Sequence, residues 1–258
     1  MAGIQGKYII GLTGNIGTGK TAVRRMLEHL GAYTIDADGL SHRAIAKGAP
    51  GYVPVVEIFG KWILGDDGEV DRAKLGRLVF QDPAALTKLE EIVHPLVRQA
   101  VRLLMRQTPQ PVVVIEAIKL LEGELKDLCD SVWVTYSPKA AQIERLKAHR
   151  HMSHDEALRR IAMQGPQTDK IAAANVVIRN TGSFDDLWKQ VQDAWTAQVP
   201  TPDAAVTPSA PPKKSAVLTV SRGKPRDSKA IAELINRLGQ PAQALQAEDI
   251  MAEFGNKA

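Results

Sequence analysis

The chain has a single cysteine, Cys129, so no internal disulfide can close. That cysteine usage suits a reducing compartment, and the expected location is the cytoplasm. No run approaches the roughly 18 apolar residues of a membrane span. The opening MAGIQGKYII leads straight into an apolar strand, which leaves no room for a signal peptide, and Ala2 excludes the myristoylation pattern. Charge of one sign is scarce. The net +4 over 258 residues divides into +2 before and +2 after residue 200. Basicity spread this thinly suits anionic small substrates, and neither a nucleic-acid nor a membrane partner is expected. No internal repeat is visible.

What is present is an alternation of strands and helices. Tyr8 to Thr13 (YIIGLT) reads as a buried strand. Val23, Met26, Leu27 and Leu30 then form a helical stripe that stops at Gly31. Tyr33 to Ile35 is the next strand, which makes the opening a βαβ unit. Gly39 to Lys47, Tyr52 to Phe59 and Arg72 to Phe80 have the pattern of short helices. Asp82-Pro83 caps a long helix reaching about Arg106, with His94-Pro95 set to kink or divide it. VVVIEA at 112–117, SVWVTY at 131–136 and NVVI at 175–178 are further strands. Ser137-Pro138, the capping-box pattern SHDE at 153–156, and Ser183 open helices. The expected fold is α/β: a P-loop NTPase-type five-stranded parallel sheet, helices on both faces, with helical substrate and lid insertions.

Residues 14–21, GNIGTGKT, satisfy the P-loop pattern between a strand and a helix. Gly14, Gly17 and Gly19 let the backbone curl so that successive N–H groups face one anion. The helix N-terminus adds a favourable dipole. Lys20 is expected to reach the β and γ phosphates, and the Thr21 hydroxyl to ligate Mg²⁺. Asn15, Ile16, Thr18 and Ala22 complete the stretch expected to hold ATP. The guanine-reading Asn-Lys-x-Asp of GTPases is missing, as is the Leu-Ser-Gly-Gly-Gln of transporter ATPases. A small-molecule kinase remains, with a nucleotide-dependent binding switch as the other class.

DAD at 36–38 follows the second strand. In an extended segment Asp36 and Asp38 would share a face. One would then accept the proton of an attacking hydroxyl while the other held magnesium through water. The competing reading makes Asp38 the N-cap of the next helix.

In order from about Lys7 to Val199, several segments resemble dephospho-CoA kinase. They are IGLTGNIGTGK, TIDADGLSHRAIAKGAPGY, DRAKLGRLVF–DP, IVHPLV, VVVIEAIKLLEGEL, QIERLKAHRHMSHDEALRRIAMQ and ANVVIRNTGSFDDLWKQV. The resemblance implies ATP-dependent phosphorylation of the ribose 3′-hydroxyl of dephospho-CoA, giving CoA and ADP. It implies Asp38 as general base with Asp36 beside the phosphates, and His42 and Arg43 facing the acceptor. It implies Arg145 and Arg150 at the lid, over the transferring phosphoryl group. Gln164 and Asn180 match family positions, whereas Arg159 reads as a solvated helix face. The sequence departs from the family at Ile118-Lys119, where Lys119 meets either the anionic substrate or water, and at Asn175 and Arg179 about the last strand. His149, His151 and His154 lack the acidic or cysteine partners of a zinc site and read as a solvent- or anion-facing lid.

The expected boundaries are 1–199 for the kinase-like domain, 200–216 for a Pro/Ala-rich linker, and 217–258 for a short extension. VLTVSRGKPRDSKAIAELINRL in that extension resembles the first strand, turn and helix of a GNAT acetyltransferase. Most of such a domain is missing, so no acetyltransferase activity is expected.

Overall fold

A computed structural model describes residues 6–200; the expected linker beyond 200 and the extension lie outside the described residues. The described chain forms two compact units, 6–41 with 97–199, and 42–96.

The first unit is built on a parallel sheet of order β2-β3-β1-β4-β5. Its strands are β1 (Tyr8–Thr13), β2 (Tyr33–Asp36), β3 (Val112–Glu116), β4 (Ser131–Tyr136) and β5 (Val176–Arg179). β3 inserts between β2 and β1, and β4 pairs on the other side of β1. The direction of winding therefore reverses at β1, which puts the ligand crevice at its carboxyl end. Ile9, Ile10, Val113, Val114 and Ile115 are all fully buried, so both faces of the central strands are covered. One face packs on α1 (Lys20–His29) and α9 (Phe184–Gln198). There Ile10, Leu12, Val114 and Trp133 meet Val23, Leu27, Leu187 and Val191. Near-continuous apolar strands are what burial on both faces demands. Cys129 follows a short 3₁₀ turn, donates from Sγ to Leu125 O at 3.2 Å, and lies against Gly11. Burial pushes its thiol up to about 12.

Four further helices complete this unit or enter it: α6 (Lys139–Arg150), α7 (His154–Ala162), α8 (Gln167–Ala172) and the second half of α5 (Pro83–Gln107). Ser153 caps α7 through Glu156 N at 3.2 Å. Only that half of the expected capping box is used, because the Glu156 carboxylate accepts from Arg160 instead. Both halves form at α9, where Ser183 and Asp186 exchange bonds.

The second unit holds α3 (Tyr52–Phe59), α4 (Arg72–Gln81) and the start of α5. Asp71 caps α4, and Asp82 caps α5 through Ala84 N and Ala85 N. A tight turn at 65–68 is tied down by Tyr52 Oη, which donates to Gly68 O at 2.6 Å. Of the two outcomes expected at Pro95, division of the helix does not occur. α5 runs undivided from Pro83 to Gln107, the proline denying only the Glu91 carbonyl its usual donor. The helix expected over 39–47 is α2 (Ala37–Ala44), which starts two residues sooner. No helix among the described residues is long and apolar enough to cross a membrane.

Candidate active site

β1 delivers the chain into the phosphate loop, and the loop opens directly into α1. Two glycines there are sterically required. Gly14 has φ 146°, and a Cβ on it would collide with the Thr135 hydroxyl and carbonyl. Gly19 has φ 98° and would drive a Cβ into the Asn180 amide. Lys20 is 8% exposed and curls back over the loop, donating to Gly14 O at 2.8 Å and Asn15 O at 3.3 Å. Its pKa falls to about 8, first because burial disfavours the ammonium, with Lys170 and Arg150 adding to the effect; Glu116 and Asp38 oppose it. Thr21 is exposed at the first turn of α1.

Not every N–H of the loop is turned toward an anion. Ile16 N donates to Gln164 Oε1 at 2.7 Å, Thr18 N to Asn15 O at 3.3 Å, and Ala22 N to Gly19 O at 3.0 Å. The Ile16 side chain is an anchor. It packs with Ile143, Leu146, Ala157 and Ile161, fastening α6 and α7 to the loop. Asn15 is buried, with Nδ2 donating to Gly165 O at 3.0 Å and Oδ1 unpartnered.

The acidic pair at the end of β2 departs from both expectations. β2 ends at Asp36 and α2 begins at Ala37, so the two side chains do not lie on one face of an extended segment. Asp36 supplies the cap by accepting from Gly39 N at 2.8 Å, which leaves Asp38 inside the first turn. Asp38 is oriented from β3: Ile118 N donates to its carboxylate at 3.1 and 3.4 Å. Burial raises its pKa, Asp36 adds to the rise, and the Ile118 N–H, Lys20 and Lys170 oppose it. Glu116 pairs in register with Asp36 and forms an ion pair with Arg24 at 2.9 Å. Burial raises Glu116 as well, against Lys20 and Arg24.

Arg145 is held by hydrogen bonds from within the protein. Its guanidinium donates to Gly17 O at 3.1 Å, Ser137 Oγ at 2.7 Å, and Asn180 O and Oδ1 at 2.9 and 3.1 Å. These four bonds make it a brace joining the loop, β4 and β5. Arg150 ends α6, and its charge is felt at Lys20. His42 and Arg43 form the last turn of α2 and fall in the second unit, and Lys119 is exposed after β3. Asn175 brackets Val132, accepting from its N–H at 2.7 Å and donating to its carbonyl at 2.8 Å, while Arg179 lies over the Tyr136 ring. Among the described residues no cluster of three or more His, Cys, Asp or Glu side chains is arranged to hold a metal, the lid histidines included.

Two residues of the site escaped the sequence. Lys170 is 4% exposed and donates to Ile118 O at 2.6 Å, yet TDKIAA reads as an ordinary solvent-facing turn of helix. Glu116 did leave a signal, as an acidic residue closing the fully buried strand β3 at the sheet's carboxyl edge.

A glycine loop between strand and helix, a buried lysine within it and carboxylates beside it define a P-loop nucleotide-binding protein. The family can be given as well. The chain belongs to the dephospho-CoA kinase family, whose model, described as Dephospho-CoA kinase, matches residues 8–186. It is 40% identical over 195 residues to the dephospho-CoA kinase of Geobacter sulfurreducens, covering 74% of this chain and 99% of the relative. Against the Streptomyces avermitilis enzyme it is 41% identical over 187 residues, covering 72% and 91%. Among solved structures, the dephospho-CoA kinase from Campylobacter jejuni superposes with a TM-score of 0.54 at 25% identity, covering 74% of this chain and 96% of that one. A Thermus thermophilus protein superposes with a TM-score of 0.68 at 31% identity, covering 76% and 100%.

Proposed function

We infer that the protein transfers the γ-phosphoryl group of ATP to the ribose 3′-hydroxyl of dephospho-CoA, the last step of coenzyme A formation. The observation that carries the reading is the family match over residues 8–186, which spans both the phosphate loop with its buried Lys20 and Asp38 in the first turn of α2, held by the Ile118 N–H. The acceptor oxygen attacks the γ phosphorus in line. The bond to the β-phosphate oxygen breaks, and its electron pair leaves with ADP. Asp38 takes the hydroxyl proton. Lys20 and Arg150 balance the charge on the phosphoryl oxygens, while Arg145 keeps the loop in shape. Lys119, exposed after β3, is proposed to meet the phosphate-rich acceptor.

The Thr21 hydroxyl and the Asp36 carboxylate are hard oxygen donors of the kind that share Mg²⁺ with nucleotide phosphates. When bound, the ion neutralises charge on the β and γ phosphates. We assign the kinase to residues 1–199 and treat 217–258 as an appendage joined through 200–216. A cytoplasmic location follows from the single cysteine.

ADP release with and without dephospho-CoA tests the reading; turnover that dephospho-CoA does not stimulate would sink it. Asp38→Asn is expected to lower kcat by at least about 100-fold while leaving ATP affinity within about twofold.

A further inference from the structure

Residues 164–170 are bound at four points to the loop and strand ends. Gln164 accepts from Ile16 N, and Gly165 O accepts from Asn15. The Gln167 side chain bonds both the N–H and the carbonyl of Ser137. Lys170 Nζ donates to Ile118 O at 2.6 Å and lies 3.7 Å from the Glu122 carboxylate. The last contact differs from the others. Those three hold the nucleotide side, whereas Ile118 is the residue whose N–H grips Asp38. Thr13 Oγ1 donates to the same Ile118 carbonyl at 3.1 Å.

A buried ammonium is costly to maintain. Burial indeed lowers the pKa of Lys170, opposed by Glu122 and Asp38. A methionine or leucine would fill the same space without that cost. The position therefore has a polar task, and its one short bond names the task.

We propose that Lys170 is a positioning residue for phosphoryl transfer: it clamps the Ile118 carbonyl so that the Ile118 N–H holds Asp38 in line with the acceptor hydroxyl. It does not touch the reacting atoms. It links the segment after α7 to the acceptor side of the site through one residue of backbone. This rests on the reading of Asp38 as proton acceptor.

The test uses the full chain, steady-state ADP release, titration with a fluorescent ATP analogue, and thermal melting. Lys170→Met is expected to lower kcat about tenfold or more, since a small misplacement of a reacting group is expensive. The Kd for the analogue stays within about twofold. An unchanged kcat overturns the proposal. So does a loss of analogue affinity in step with kcat, which would mark Lys170 as a general brace of the loop. If Lys170→Met does not fold, Glu122→Gln decides, because that carboxylate is half exposed and its loss is tolerable. A severalfold fall in kcat at unchanged analogue affinity supports the clamp, and an unchanged kcat overturns it. The parent reading fails separately: it falls, and this inference with it, if the wild-type chain shows no dephospho-CoA-dependent ADP release.

Discussion

At the scale of single residues, burial sets the chemistry. Lys20 has a folded pKa of about 8, below the 10.5 of the free side chain. The sign follows from linkage: below pH 8 the folded chain carries a desolvated ammonium that costs stability, and the cost is lifted as pH rises from 8 to 10.5. Phosphate binding works the other way, because it needs the charge. The affinity for ATP is therefore expected to hold up to about pH 8 and then weaken, approaching tenfold per pH unit. Titration with a fluorescent ATP analogue from pH 7 to 9.5 measures this, and Lys20→Met should remove the dependence. The residue identities of the loop were legible because a P-loop is a local device. The roles of Asp36 and Arg145 were not. Asp36 became the cap because β2 ends with β3 at the Asp36–Glu116 register, leaving no ladder to keep residues 37 and 38 extended. Arg145 offered only a charge at helical spacing; its four acceptors come from positions 8 to 128 residues away.

At the scale of elements, caps and turns carried most of the legibility. Ser183, Asp82 and Ser153 each sit where a side-chain oxygen can take the free N–H groups of a first turn. α9 depends on such a cap while covering the sheet with Leu187 and Val191. Ser183→Ala is expected to lower the melting temperature by about 2–4 °C and leave kcat unaltered, since Ser183 exchanges its side-chain bonds with Asp186 inside the first turn of α9; differential scanning calorimetry beside the ADP assay checks both. α8 shows the limit of local reading. Six residues long, it has too little periodicity to reveal a buried face. The partner of Lys170 is the Ile118 carbonyl after β3, some 50 residues earlier in the chain. Whether Pro95 would divide α5 was not decided locally either. A proline removes one bond, and a 25-residue helix keeps enough of the others to continue through it.

For the whole molecule, alternation of strands and helices predicted a parallel sheet but not the insertion of β3 between β2 and β1, which depends on pairings about 80 to 105 residues apart. The family model ends at residue 186, well inside the described chain. Deleting residues 201–258 is accordingly expected to leave dephospho-CoA-dependent ADP release within about twofold of the full chain; a collapse in that assay would show that the extension belongs to the working fold.

The single cysteine has a practical consequence. Cys129 is tucked against Gly11, its thiol pushed up to about 12, so at neutral pH almost none of it is thiolate. A second cysteine placed on an exposed helix face would be far the more nucleophilic of the two. The native background is thus already suited to attaching one spectroscopic probe at a chosen site, and the surroundings of α6 or α7 can be reported on without first replacing Cys129.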